Sequence, residues 1–197
     1  MKCVTVLQPW AHAIFDPILD KWVENRSWST SFRGWLLIHA GLSRRLIEGP
    51  DAFTSYWGGG PAVPAEKELT FGAIVGVAHV VDWLGWKQLP EHLQASGWVQ
   101  GPQCLVMRER MKLRRPIPMR GQQGMYEVTM TPELEALLPI TAEAMEEKYQ
   151  EACAERERNG GRMPGLTVRS DQRQAVMEMG SAPGAARGRD AQPLIRG

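Results

Sequence analysis

Residues 72–84 read GAIVGVAHVVDWL, an apolar run broken only by His79 and Asp82. Its β-branched content and opening glycine give it the composition of a strand. It also falls well short of the roughly 20 apolar residues that a membrane-spanning helix needs, and no other run comes closer. GWLLIHA at 34–40 has the same character, CVTVL at 3–7 is a shorter version, and QCLVMRERMKL at 103–113 and GMYEVTM at 124–130 add two more strand-like segments. Helix signals are fewer. Pro9 suits the first turn of a short helix, with Trp10, Ala13, Ile14 and Ile18 at helical spacing and Pro17 ending or kinking it. LPEHLQASG at 89–97 predicts a short helix stopped at Gly97. Thr131 and Pro132, followed by Glu133 and Glu135, open a helix over 131–138, and the stretch from Thr141 to the glycines at 160 and 161 repeats that signal. Strands that do not alternate with helices predict an α+β fold with a small, partly closed barrel rather than a doubly wound sheet. A Gly-, Pro- and Ser-containing connection over 49–70 joins two of them.

Charge divides the chain further. Residues 1–130 hold 14 Lys/Arg against 11 Asp/Glu, residues 133–157 hold eight glutamates against Lys148 and Arg156, and residues 162–197 hold six arginines against three acids. We therefore expect a folded domain over 1–130, a helical extension over 131–160 and a tail over 161–197. The tail's Gly, Pro, Ala and Arg, without apolar period, cannot offset the entropy of ordering, so it is expected to be disordered. The acidic helix is a candidate surface for a protein partner. Cys3, Cys104 and Cys153 are odd in number and scattered, which argues against a disulfide framework and against a zinc site. With no secretory signal in MKCVTVLQPW, a cytoplasmic location is expected, with no metal, no cofactor and no membrane association. GxGxxG, the P-loop, HExxH and GxSxG are all absent.

KWVENRSW, residues 21–28, gathers Lys21, Glu24 and Arg26 between two tryptophans. If extended, it puts Trp22, Glu24, Arg26 and Trp28 on one face. A paired, partly desolvated Arg and Glu then present fixed donors and acceptors to a flat heterocycle stacked on indole, an arrangement suited to a nucleobase. The same residues equally suit a tryptophan core with an internal salt bridge. A second basic feature is Arg108, Arg110, Lys112 and Arg114, which recur every second residue and would line one face of a strand as a phosphate-binding stripe. The alternative is a solvated edge strand protected by charge. His39 and His79 read as core histidines, and His12 and His92 have no partner pattern.

The segments VLQPWAHAI at 6–14, KWVENRSWST at 21–30, RGWLLIHA at 33–40, GAIVGVAHVVD at 72–82, GPQCLVM at 101–107 and RRPIPMRGQQGMYEV at 114–128 together resemble the successive motifs of the ASCH domain. The resemblance implies a PUA-like small β-barrel with short flanking helices. It also implies that the Lys-x-x-Glu-x-Arg element, here Lys21, Glu24 and Arg26, lines a cleft for RNA, another single-stranded nucleic acid or a modified nucleoside. Gln8, Trp10, Trp28 and Arg33 are further candidates for that cleft. One branch of these domains is known as an amidohydrolase of acylated cytidine that uses Lys, Thr and Glu. Its threonine sits three positions after the lysine, where this chain has Glu24, so Lys21 carries over and the nucleophile does not. Thr30 reads as a strand-end residue. Ribonuclease activity, also reported in related domains, would use Lys21 for phosphate charge and Glu24 as base.

Overall fold

The computed structural model describes residues 1–44, 64–94 and 98–160. The tail over 161–197, most of the connection over 49–70 and the helix stop at Gly97 lie outside them. The strand-like runs pair into one mixed sheet: β1 (Lys2–Val6), β2 (Val23–Arg26), β3 (Gly34–Ala40), β4 (Ala73–Gly85), β5 (Gln103–Pro118) and β6 (Met125–Glu127), in the order β2-β5-β4-β3-β1-β6. Only β1 and β3 run parallel; every other pair is antiparallel.

The apolar runs are continuous because both faces of the sheet are covered. Alternation along β3 sends Leu36, Ile38 and Ala40 to one side, where they meet Val4, Val6, Ala78, Val80, Leu105 and Met107 beneath Ala11 and Ile14 of helix α1 (Trp10–Phe15). It sends Trp35 and Leu37 to the other, against Cys3, Ile74, Val77, Leu113 and Tyr126. That second face is closed by α3 (Pro132–Leu137) and α4 (Ala142–Arg158), through Leu134, Leu138 and Met145. Thr131 and Thr141 cap these two helices, each hydroxyl accepting a backbone N–H three residues on. A four-residue helix, α2 (Glu91–Gln94), completes the set. None of the described helices is long and apolar enough to cross a membrane.

The sheet is curled. Arg26 sits on edge strand β2, yet its Nη2 donates to Thr5 O of β1 at 2.8 Å, across a gap that β5, β4 and β3 fill in the strand order. A flat sheet would hold those two strands about 19 Å apart, four spacings of about 4.8 Å. β5 accomplishes the curl: it pairs with β4 over most of its length and with β2 at its start, and irregular register at three places in β4 adds bend and twist. The expected α+β, barrel-like architecture is observed as this strongly bent, incompletely closed sheet.

The acidic helix is not a free arm. Its Met145 carbonyl accepts the Trp35 indole N–H at 2.8 Å, Glu155 pairs with Arg108 at 2.6 Å, and Lys148 lies 3.6 Å from Glu109. Glu109 also faces His79 Nδ1 at 3.0 Å, and that hydrogen bond, ahead of the Lys148 charge, draws its carboxyl down to about 2. A glutamate depressed in the folded state contributes stability above its unfolded pKa and loses it as pH falls through the folded one. Acid unfolding between pH about 4.5 and about 2 is therefore expected to be shallower in Glu109→Gln than in the wild type, measured by urea midpoints along a pH series.

Candidate functional site

Lys21, Glu24 and Arg26 form a relay from the interior to the surface. The chain enters β2 pinned on both sides, with Lys21 N donating to Ala13 O of α1 and Trp22 O accepting from Met107 N of β5. This holds the Lys21 side chain inside at 2% exposure, where Nζ donates to Val23 O and to Glu24 Oε2. Glu24 Oε1 then lies 3.2 Å from Arg26 Nη2, the same nitrogen that reaches Thr5 O. Burial pulls the Lys21 pKa down against the pull of Glu24. Burial alone would raise the Glu24 carboxyl, but the charges of Lys21 and Arg26 together outweigh it and hold it below the usual glutamate range.

Beyond Arg26 the surface opens into a groove of about 480 Å³, lined by Thr5, Leu7, Arg26, Trp28, Gln122, Gln123 and Gly124. Trp28 forms one wall. Its ring sits 4.8 Å from that of Trp83 at 33°, and its carbonyl accepts the Trp83 indole N–H at 3.2 Å. The opposite rim is the loop before β6. It comes close because residue 121 is glycine: a Cβ there would lie 2.5 Å from His39 Cε1 and 2.7 Å from Thr5 Oγ1. Gln122 and Gln123 are thereby carried to the groove, while His39 stays buried with Nε2 at 3.0 Å from Met119 O. Neither glutamine stood out by motif spacing; the available signal was a pair of adjacent amides between Gly121 and Gly124, a short polar loop closing an apolar strand region.

The structure divides the candidates. Arg26 and Trp28 line the groove. Lys21 and Glu24 do not; they lie behind Arg26, since the entry to β2 and its first half are covered by α1 and β5. Trp22 is buried too, so the anticipated single open face of Trp22, Glu24, Arg26 and Trp28 reduces to its last two members. Gln8 is buried away from this groove, its Nε2 donating to Thr70 O and its Oε1 accepting from His12 N. Trp10 packs edge-on to Trp98 at 6.0 Å. Arg33 is bound to the buried Asp82 and to the carbonyls of Thr30 and Phe32. Thr30 is not a strand-end residue: it lies in the connection between β2 and β3, where its hydroxyl accepts from Phe32 N.

The basic stripe on β5 is interrupted. Arg108 pairs with Glu155 and Arg110 with Asp20, whereas Lys112 and Arg114 are exposed. Register shifts opposite these residues break the strict alternation that would have put all four on one face. His39 and His79 are core residues as anticipated. Among the described residues no group of three or more His, Cys, Asp or Glu is placed to hold a metal ion.

Among the described residues, the groove thus offers one fixed cation, two amides, an indole wall and no carboxylate. No family model matches the chain, and neither does any curated protein. Among solved structures, the chain is similar to ASCH from Zymomonas mobilis at 14% identity and a TM-score of 0.35, covering 68% of this chain and 89% of that one. A serine-to-alanine mutant of that protein gives 13% identity and a TM-score of 0.36 over 65% of this chain and 87% of that one. A tyrosine-to-phenylalanine mutant gives 11% and 0.34 over 65% and 89%. Likeness this distant carries no argument about activity, which rests on the residues of this chain.

Proposed function

We propose that the protein binds a nucleobase of single-stranded RNA, or of a modified nucleoside, in the groove between Trp28 and the loop at Gln122 and Gln123. The observation that carries this reading is the guanidinium of Arg26, held at the groove by Glu24 Oε1 and Thr5 O beside an indole wall. A donor fixed in advance loses little entropy on binding, and Nη1 of Arg26 has no partner among the described residues. The two glutamine amides supply both donors and acceptors for a base edge. Residues 1–130 carry the whole groove. A nucleic-acid ligand, together with three free cysteines, fits a cytoplasmic location.

Arg26→Ala is expected to weaken binding of a short oligonucleotide at low salt by about 10- to 100-fold, the value of a hydrogen bond to a charged group. Tryptophan fluorescence titration reads this, with circular dichroism as the folding control; unchanged affinity would overturn the proposal. Binding is preferred over hydrolysis because Lys21 Nζ is committed to Val23 O and Glu24 and does not line the groove. Incubation with acylated cytidine or RNA is expected to release no product.

A further inference from the structure

We infer that a second base-binding subsite lies at Trp86, so that the ligand is an oligonucleotide spanning two platforms rather than a free nucleoside. Trp86 is an exposed large aromatic residue, 43% accessible, and it borders a separate groove of about 330 Å³ lined with Val99, Gln100, Gly101 and Pro102. Lys87 Nζ stands 5.6 Å from the centre of its ring. An exposed indole beside a cation, with no carboxylate among the described lining residues, matches the way single strands are held: a base stacks on the ring and a phosphate meets the lysine.

The inference rests on the base-binding reading of the Arg26 groove, because the sheet register joins the two places. Arg26 of β2 is opposite Gln103 of β5, and Gln103 is opposite Gly85 of β4, the residue just before Trp86. Two strand spacings separate the backbones of Arg26 and Gly85, about 10 Å, a scale that a few nucleotides of single strand cover. The same end of the sheet holds both grooves rigidly. Trp86 N donates to Pro102 O at 3.2 Å. Asn25, next to Arg26, accepts from the backbone N–H groups of Gln100 and Gly101, both at 2.9 Å, through Oδ1. A Cβ on Gly101 would lie 2.6 Å from Asn25 Cβ, so glycine is what lets this wall settle against β2. The floor of the second groove is thus tied to the residue beside the cation of the first.

The test compares hexauridylate with uridine 5′-monophosphate on the full chain at low salt, by calorimetric titration. Trp86→Ala is expected to weaken hexamer binding about tenfold, the scale of losing one stacked base, and to leave monophosphate binding in the Arg26 groove unchanged. Lys87→Ala is expected to reduce the salt dependence of hexamer binding by about one unit of slope. If Trp86→Ala binds the hexamer as the wild type does while the monophosphate still binds, the second subsite is refuted and the first stands, leaving Trp86 to a protein partner or to solvent. If the wild type binds the hexamer no more tightly than the monophosphate, the two-platform ligand is likewise refuted. If neither ligand binds the wild type, both readings fall. Trp86 is exposed and belongs to none of the core clusters among the described residues, so its loss should not unfold the protein, and circular dichroism verifies this.

Discussion

Glu24→Ala is expected to destabilise the protein by about 3–5 kcal/mol, a large share of the 5–15 kcal/mol that holds a typical domain together. The reason is the partner left behind. Lys21 is 2% exposed, and with Glu24 gone its ammonium keeps only the Val23 carbonyl inside the core. Arg26 simultaneously loses the carboxylate that orients it. Replacing both buried ions with apolar residues of similar volume, Lys21→Met with Glu24→Leu, is expected to cost far less than Glu24→Ala alone, because the one charge left without its partner, Arg26, lies at the groove rather than in the core. The two outcomes separate stability from function. The double variant should stay folded yet bind oligonucleotide weakly, since Arg26 would be held by Thr5 O alone. Urea unfolding at neutral pH checks the first half and fluorescence titration the second. A double variant as unstable as the single would mean that packing around Lys21, not charge pairing, sets the cost.

Why the sequence announced Lys21, Glu24 and Arg26 as a unit but misplaced two of them is a matter of what spacing encodes. Alternation states which residues share a face; it does not state which face is covered. β2 is only four residues long, with α1 against its entry and β5 along its length, so its first half, Val23 and Glu24, is interior and only its second half, Asn25 and Arg26, is partly open. The long runs at 34–40 and 72–84 were legible because their hydrophobicity depends on burial on both faces, whatever the order of strands. The basic stripe misled for a related reason. Period two holds only for a regular strand, and β5 is paired through several register shifts, while Glu155 and Asp20 arrive from distant parts of the chain to neutralise two of its members. Gln122 and Gln123 carry no charge and no periodicity. Their role depends on Gly121 allowing close approach to His39 and Thr5, a contact across more than 80 residues that spacing cannot convey.

Trp35→Ala is expected to cost about 3–5 kcal/mol and to loosen α4 before it loosens the sheet. Trp35 is where the second core cluster and the acidic helix meet. Its indole stacks on His79 at 4.9 Å and 15°, and its N–H is the bond to Met145 O. Around it, Tyr149 lies against Gly34, and Met145 is the only buried residue α4 contributes, so apart from the Glu155 and Lys148 ion pairs this is what fastens 17 residues of glutamate-rich helix. Trp35→Phe keeps an aromatic ring over His79 and gives up the hydrogen bond, for an expected loss of about 1 kcal/mol beyond any change in packing. Hydrogen exchange resolved along the chain distinguishes the cases: in Trp35→Ala, amides of 142–158 should lose protection while those of β3 and β4 retain it. Equal loss throughout would instead make α4 an inseparable part of the core. Release of α4 would also free Arg108 from Glu155 and take Lys148 away from Glu109. Arg108 could then meet phosphate, so the salt slope of oligonucleotide binding should steepen by about one unit in Trp35→Ala, a change in the direction opposite to that expected for Lys87→Ala.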